Sequence, residues 1–309
     1  MRVWLTGGTG FVGSNIVHAA EQAGHTVMTT VHSFVPADST YLVDHVDMLD
    51  PTAVRRSVDG FGPDLVIHCA ILNDWDRMYA DRQFAWDTYV SATRFTTAAA
   101  GEVGAAYVVV STDWVFDGTQ AGADEGTAPN PVNLYGVLKL ASEMVALEND
   151  GAVARVSGVN GVHRARPDTP RSQDPGFGYF VASIVDNLKA GIPFTVWESD
   201  SINMVATPSL ATECGEIMLE IGARKLTGVF HCSGADAVSR RQLAELTCDV
   251  FDLDAGLLRF AEPPPSAMPP GGSVPYDTSL TTPRTDELLE RTATPVRTLL
   301  SRFRREYEQ

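Results

Sequence analysis

The first thirteen residues constrain this chain more than any other part of it. Arg2-Val3-Trp4-Leu5-Thr6 is a short apolar run of strand length, and Gly7-Gly8-Thr9-Gly10-Phe11-Val12-Gly13 follows at once. A helical pattern then runs from about Ser14 to Gln22 and stops at Gly24. Strand, glycine loop and helix in that order build a dinucleotide site. Gly7 permits the tight turn, Gly10 lets the backbone approach pyrophosphate, and Gly13 allows close helix packing. Such glycines are weak evidence alone. Their place at the head of an alternating strand and helix chain gives them weight.

That alternation continues through the first half. Candidate strands are Arg2–Thr6, Thr26–Val31, Leu65–His68, Ala106–Ser111 and Val153–Val156, separated by helical patterns near Pro51–Val58, Ala80–Gly101 and Leu134–Leu147. Parallel β/α architecture follows from this order. The expected fold is α/β: a Rossmann-type doubly wound parallel sheet over residues 1–160, with a smaller C-terminal α/β substrate lobe over 161–309, some segments of which return to the first domain. Past Ser157 the texture changes. Gly161 to Gly178 reads as a long polar loop, Phe180–Ala190 as a helix and Phe194–Trp197 as a strand. Pro208–Ile221 and Ser239–Phe251 read as lobe helices, with Ser239 a good N-cap for the second. Pro263–Pro275 is a rigid connector and Arg297–Tyr307 a terminal helix. A substrate belongs between the lobes, beyond the carboxyl ends of the strands.

Composition narrows the partners. The 309 residues carry a net charge of −16, which repels nucleic acid backbones and anionic membrane surfaces. Arg2 precedes an apolar run that breaks at the glycine loop, unlike a secretory leader, and no stretch approaches the roughly 20 apolar residues that span a bilayer. Cys69, Cys214, Cys232 and Cys248 lack metal-like or paired spacing, so reduced thiols and no metal are expected. The reading is cytoplasmic, with a small-molecule partner; a homodimer is compatible with it.

Chemistry enters with two segments. Ser111-Thr112-Asp113-Trp114-Val115-Phe116-Asp117-Gly118 ends a strand, and Tyr135-Gly136-Val137-Leu138-Lys139 opens a helix. Tyr135 and Lys139 share one helix face, roughly 6 Å apart at Cβ. An ammonium there can pull the phenol, normally near 10, towards neutrality. With the hydroxyl of Thr112 holding a carbonyl, Tyr135 becomes a general acid for reducing it, or a base for the reverse reaction.

The glycine loop, the Ser111–Gly118 segment, Pro129-Asn130-Pro131 and Tyr135-Gly136-x-x-Lys139 resemble the extended short-chain dehydrogenase/reductases, and within them the dTDP-4-dehydrorhamnose reductase branch. Arg155-Val156-Ser157, Phe230–Gly234 and Asp277-Thr278-Ser279-Leu280 extend the likeness over nearly the whole chain. The resemblance implies catalysis by Thr112, Tyr135 and Lys139, the lysine also bonding the nicotinamide ribose; Ser111 is the weaker candidate for the hydroxyl. Gly7, Thr9, Gly10, Phe11 and Val12 would hold the pyrophosphate, Asp47-Met48 the adenine edge, and Cys69, Ala70 and Ile71 the nicotinamide end. His68 reads as a structural strand end.

After Val31 come His32 and Ser33, with no acid to bond a ribose 2′-hydroxyl. That favours NADP(H) with NAD(H) open as the alternative, and sets Ser33 and His32 near the phosphate. Asn73, Asp113, Trp114 and Gly158 are candidate substrate contacts, although Asp113 reads equally well as a turn residue. Arg164, Arg166 and Arg171 sit in the polar loop, either as solvated side chains or as clamps for a substrate phosphate or carboxylate. Where the branch carries Tyr, Trp, a Thr-x-Val-Asp-Lys segment and Val-Asn, this chain has Trp114, Gly158, Leu72-Asn73-Asp74-Trp75-Asp76 and Trp86-Asp87. The proton-transfer parts match while the sugar contacts are rewritten.

The expected function is NADP(H)-dependent reduction of a ketone on a sugar nucleotide or related polar metabolite. Alternatives are a sugar-nucleotide epimerase or dehydratase that recycles its nicotinamide, and a non-catalytic NADP-binding regulatory subunit. Trp114 after Asp113 counts against a dehydratase, which needs an Asp-Glu pair there.

Overall fold

The computed structural model describes residues 1–31, 39–169 and 172–309. At its centre is a 7-stranded sheet, every neighbouring pair of which is parallel. Its strands in chain order are β1 (Arg2–Thr6), β2 (Thr26–Val31), β3 (Leu42–His45), β4 (Leu65–His68), β5 (Ala106–Thr112), β6 (Ala152–Val156) and an edge strand, Gly228–Cys232. Across the sheet the order is edge strand, β6, β5, β4, β1, β2, β3. The order in which the strands are laid down therefore reverses between β1 and β4, and a crevice opens beyond their carboxyl ends.

Apolar side chains cover both faces. One core joins Val3, Leu5, Ile67 and Val108 to α1 (Phe11–Gln22) and to helix Ala211–Ala223. Those two helices touch so closely that a Cβ on Gly215 would meet Ile16 Cα at 3.0 Å. The opposite core packs Trp4, Val66 and Val109 against α2 (Pro51–Phe61) and helix Ala92–Val103. Trp4 is fully buried, and its indole N–H is satisfied by Ser57 Oγ at 3.0 Å. A separate core in the C-terminal half joins Phe180, Val185 and Val196 to Leu243, Phe251 and Phe303.

Three expectations are corrected. Helix Pro208–Ile221 starts at Ala211 and belongs to the main sheet's layer rather than to the smaller core. The helix read as Ala80–Gly101 is broken: Trp75–Ala80 ends at Asp81, whose carboxylate caps a new turn at Phe84 N, 3.0 Å away. A π-helical turn, Asp87–Ser91, then leads into Ala92–Val103. Strand β3 was not among the candidates, because its Leu42 is 50 % exposed and no apolar alternation marks it.

Helix Leu134–Leu147 lies on β5 and β6 through one stripe. Tyr135, Lys139 and Glu143 recur every four residues and so share a face. Lys139 Nζ donates to the Val110 carbonyl at 2.8 Å, and Glu143 receives Arg155 of β6 bidentately at 2.9 and 2.7 Å. Both partners of that pair are buried, at 1 % and 3 % side-chain exposure. Removing the cation leaves a carboxylate stranded in the interior. Arg155→Ala is therefore expected to lower stability by about 3–5 kcal/mol in urea unfolding, and a loss under 1 kcal/mol would show the pair to be dispensable.

Candidate active site

At the switch point, Thr6 at the end of β1 accepts the amides of Cys69 and Ala70, each at 3.0 Å. Its own proton then goes to His68 Nδ1 at 2.8 Å, which leaves the imidazole proton on Nε2. Burial holds the His68 pKa down at about 3, so this ring is a neutral strut at the strand end. Gly7 takes φ +71°, and a Cβ there would lie 2.9 Å from Ala70 Cα and N. A Cβ on Gly13 would fall 2.1 Å from the Gly7 carbonyl. The loop thus closes only with glycine at both positions. Gly10 caps α1 without any side-chain hydrogen bond, and no acid stands in the first turn. Amides and helix dipole together favour an anion there.

The crevice opens into a cavity of about 900 Å³. Gly7, Thr9, Gly10, Phe11 and Val12 form one end, and Cys69, Ala70 and Ile71 flank it. Thr112, Tyr135 and Lys139 form the floor, with Asn73, Trp114, Gly158 and Arg166 along the walls. Asp47 and Met48 are not part of this lining. Asp47 caps the Leu49 amide at 2.9 Å, while the partly buried Met48 packs on the α2 side of the sheet. His32, Ser33 and Arg171 lie outside the described residues.

Arg164 is corrected. It points away from the cavity, donating to Asn15 Oδ1 at 3.1 Å and to Glu306 Oε2 at 3.0 Å. It ties the polar loop to α1 and to the C-terminal helix, and its charge is already matched.

Ser111 and Thr112 project to opposite sides, as successive strand residues must. Ser111 Oγ donates to Glu143 at 2.5 Å, which leaves Thr112 beside the phenol of Tyr135. Burial pushes that phenol well above its ordinary value of 10, against the pull of its hydrogen bond with Thr112. The expected downward shift by Lys139 is not what the geometry produces: the ammonium is bonded to Val110 O, and burial lowers its own pKa to about 8. Tyr135 stands here as a protonated phenol.

Asp113 is only 5 % exposed and receives three hydroxyls: Thr278 at 2.6 Å, Ser157 at 2.8 Å and Thr112 at 3.1 Å. It joins β5, β6 and the C-terminal segment while also contributing to the cavity lining. Burial raises its pKa to about 6, the hydroxyl bonds opposing.

Several lining residues carried no earlier assignment. Trp75 stands 5.7 Å from the Tyr135 ring and 6.0 Å from Trp114, with Trp114 and Tyr135 6.1 Å apart, all centre to centre. Tyr89, turned inward from the π-helical turn, adds an edge contact to Tyr135 at 6.2 Å. Phe11 meets Tyr179 at 4.7 Å above the glycine loop. Trp75 could have been suspected from the segment that departs from the family pattern; Tyr89 carried no signal of its own.

The chain matches the model of the RmlD substrate binding domain over residues 1–308. It is 31 % identical over 261 residues to a probable low-salt glycan biosynthesis reductase of Haloferax volcanii, covering 84 % of this chain and 83 % of that one. It is 28 % identical to the Xenopus tropicalis methionine adenosyltransferase 2 subunit beta, covering 87 % and 78 %. The crystal structure of dTDP-4-dehydrorhamnose reductase from Bacillus anthracis in complex with NADP superposes with a TM-score of 0.76 at 20 % identity, covering 98 % of both chains. Among the described residues no helix is long and apolar enough to cross a membrane, and no cluster of acidic, His and Cys side chains is grouped to hold a metal ion.

The raised pKa of Asp113 has a pH signature. A carboxyl whose folded pKa lies above its unfolded value of 3.8 stabilises the fold below that value, and the contribution fades as pH rises through about 6. The stability of the wild type relative to Asp113→Asn should therefore fall between about pH 4 and pH 7, read from urea midpoints. A difference that does not change with pH would mean the carboxyl titrates normally.

Proposed function

The chain belongs to the RmlD substrate binding domain family, and on that premise we propose that it is an NADP(H)-dependent reductase of a ketone carried by a sugar nucleotide or related polar metabolite. The observation that carries this reading is the convergence of Thr112, Tyr135 and Lys139 on one cavity whose other end is the glycine loop and the N-terminus of α1. The residues fit a dinucleotide: close backbone approach at Gly7 and Gly13, a helix start with no side-chain cap and no acid in its first turn, and no acid at the end of β2 to reject a 2′-phosphate. When bound, NADPH would supply the hydride. The residues of this chain then do the rest: Thr112 and Tyr135 hold the carbonyl oxygen, and Tyr135 delivers its proton there. Lys139, buried and positively charged below about pH 8, favours negative charge developing beside it.

A second reading rests on the likeness to methionine adenosyltransferase 2 subunit beta over 87 % of this chain. In that case the protein would bind NADP(H) without turnover and act on a partner enzyme. Purified protein, NADPH and a panel of keto-sugar nucleotides followed by absorbance separate the two. Consumption of NADPH matching product supports the reductase; binding with no turnover across the panel supports the regulatory reading. Because the family's sugar contacts are replaced at Trp114, Gly158 and Asn73–Asp76, dTDP-4-dehydrorhamnose should not be the best substrate of that panel.

Tyr135→Phe should keep NADPH affinity while reducing turnover roughly 10²–10⁴-fold, the usual contribution of a positioned proton donor. Undiminished turnover would take Tyr135 out of the mechanism.

Titration of the free protein should show tighter binding of NADPH than of NADH, since no carboxylate ends β2. A preference for NADH would place an acid near the ribose that the strand does not provide.

A further inference from the structure

The segment between strand Leu258–Ala261 and Tyr276 crosses the mouth of the cavity. Ser266, Met268 and Pro270 contribute directly to its lining. Both ends of this strap are fixed. Leu258–Ala261 pairs with Phe194–Trp197 in the smaller core, and beyond the other end the Tyr276 carbonyl accepts the amides of Met204 and Val205 at 2.8 and 3.1 Å. Two residues later, Thr278 is bonded to Asp113. Between these anchors the strap meets the N-terminus of the helix that carries Tyr135.

Asn133 makes that contact. Buried at 6 % exposure, its side chain works in two directions. The Oδ1 atom accepts the Gly136 amide at 2.9 Å and so caps helix Leu134–Leu147. The Nδ2 atom donates to the Ser273 carbonyl of the strap at 3.0 Å. Beside it, Tyr79 Oη accepts the Leu134 amide at 3.4 Å. Gly272, at φ +84°, lies flat against both: a Cβ there would stand 2.8 Å from Tyr79 Oη and 3.0 Å from Asn133 Cβ. Only a residue without a side chain lets the strap close to this distance.

We propose that Asn133 is a positioning residue that couples closure of the 265–273 strap over the substrate to the placement of Tyr135. One amide side chain caps the helix whose second residue is the proton donor and holds down the segment that walls in the substrate. A substrate that engages the strap thereby reaches an acid set in register, and a strap that lifts loosens one of the two bonds that fix Asn133. This rests on the reductase reading for its kinetic consequence, but the mechanical coupling stands apart from it.

Asn133→Asp separates the two roles. A carboxylate remains a strong N-cap for Gly136 N–H, yet it has no donor for the Ser273 carbonyl. Gly272→Ala attacks the same contact from the strap side. Hydrogen–deuterium exchange of the whole protein should show faster exchange across 264–276 in both variants, and in Gly272→Ala faster exchange of the first turn of 134–147 as well, because the loosened strap no longer holds Asn133. Under the reductase reading, KM for the best keto substrate should rise roughly ten-fold, the scale of one lost hydrogen bond, with the dissociation constant of NADPH unmoved. Unchanged strap exchange in both variants would overturn the proposal, as would a loosened strap in Gly272→Ala with protection of 134–147 untouched. If the wild type turns over nothing in the panel, the reductase reading fails alone, and the exchange result still decides the coupling.

Discussion

The bidentate pair between Glu143 and Arg155 fixes the frame on which the site is built. Burying two charges is costly, and the cost is offset here because each carboxylate oxygen receives a guanidinium nitrogen and Ser111 supplies a further hydrogen bond. The reward is register. Glu143 is two helical turns from Tyr135 on the same stripe, so locking it to β6 places the phenol over the end of β5. Lys139, one turn on, completes the attachment through Val110. Gly136 allows the close approach, since a Cβ there would lie 2.3 Å from the Trp114 carbonyl. Position of the Tyr135 phenol is thus a property of the sheet and the helix together, not of a loop.

A second junction binds the C-terminal segments to this frame. Asp113 gathers hydroxyls from β5, from the end of β6 and from Thr278. Arg240, fully buried, donates to the backbone carbonyls of Asn203, Asp174 and Gly176 and so holds the polar loop where it lines the cavity. The segments lining the cavity are therefore pinned by side-chain hydrogen bonds, some to other side chains and some to backbone, rather than by regular structure. Such walls can be rewritten without disturbing the frame. That is a physical reason for Thr112, Tyr135 and Lys139 to keep the family's pattern while Trp114, Gly158 and the Asn73–Asp76 segment depart from it.

Legibility in the sequence followed the same division. β1, the glycine loop and β2 were readable because backbone geometry there admits few residue types. Tyr135 and Lys139 were readable because helix periodicity converts spacing into a shared face. Strand β3 escaped notice because it is exposed and short. Helix Ala211–Ala223 was assigned to the wrong core, since an apolar stripe says that a helix is buried but not against what. Arg164 was credited to the cavity from its place in a polar loop, where only the fold reveals that Glu306 and Asn15 already hold it. Trp75 and Tyr89 close on Tyr135 through a helix break and a π-helical turn, features no periodicity encodes.

The state of the acid follows from burial more than from its neighbour. Spacing alone suggests that Lys139 exists to lower the pKa of Tyr135. In the folded chain the ammonium is bonded to Val110 O, and low-polarity surroundings dominate the phenol. In the proposed reduction a donor needs only to be protonated when the carbonyl arrives, and a phenol raised by burial meets that condition at neutral pH. Depression of the pKa would be required for the opposite task, taking a proton from an alcohol. Walled by Trp75, Trp114 and Tyr89, Tyr135 is held in the form that gives a proton away, which is the form the proposed reduction requires.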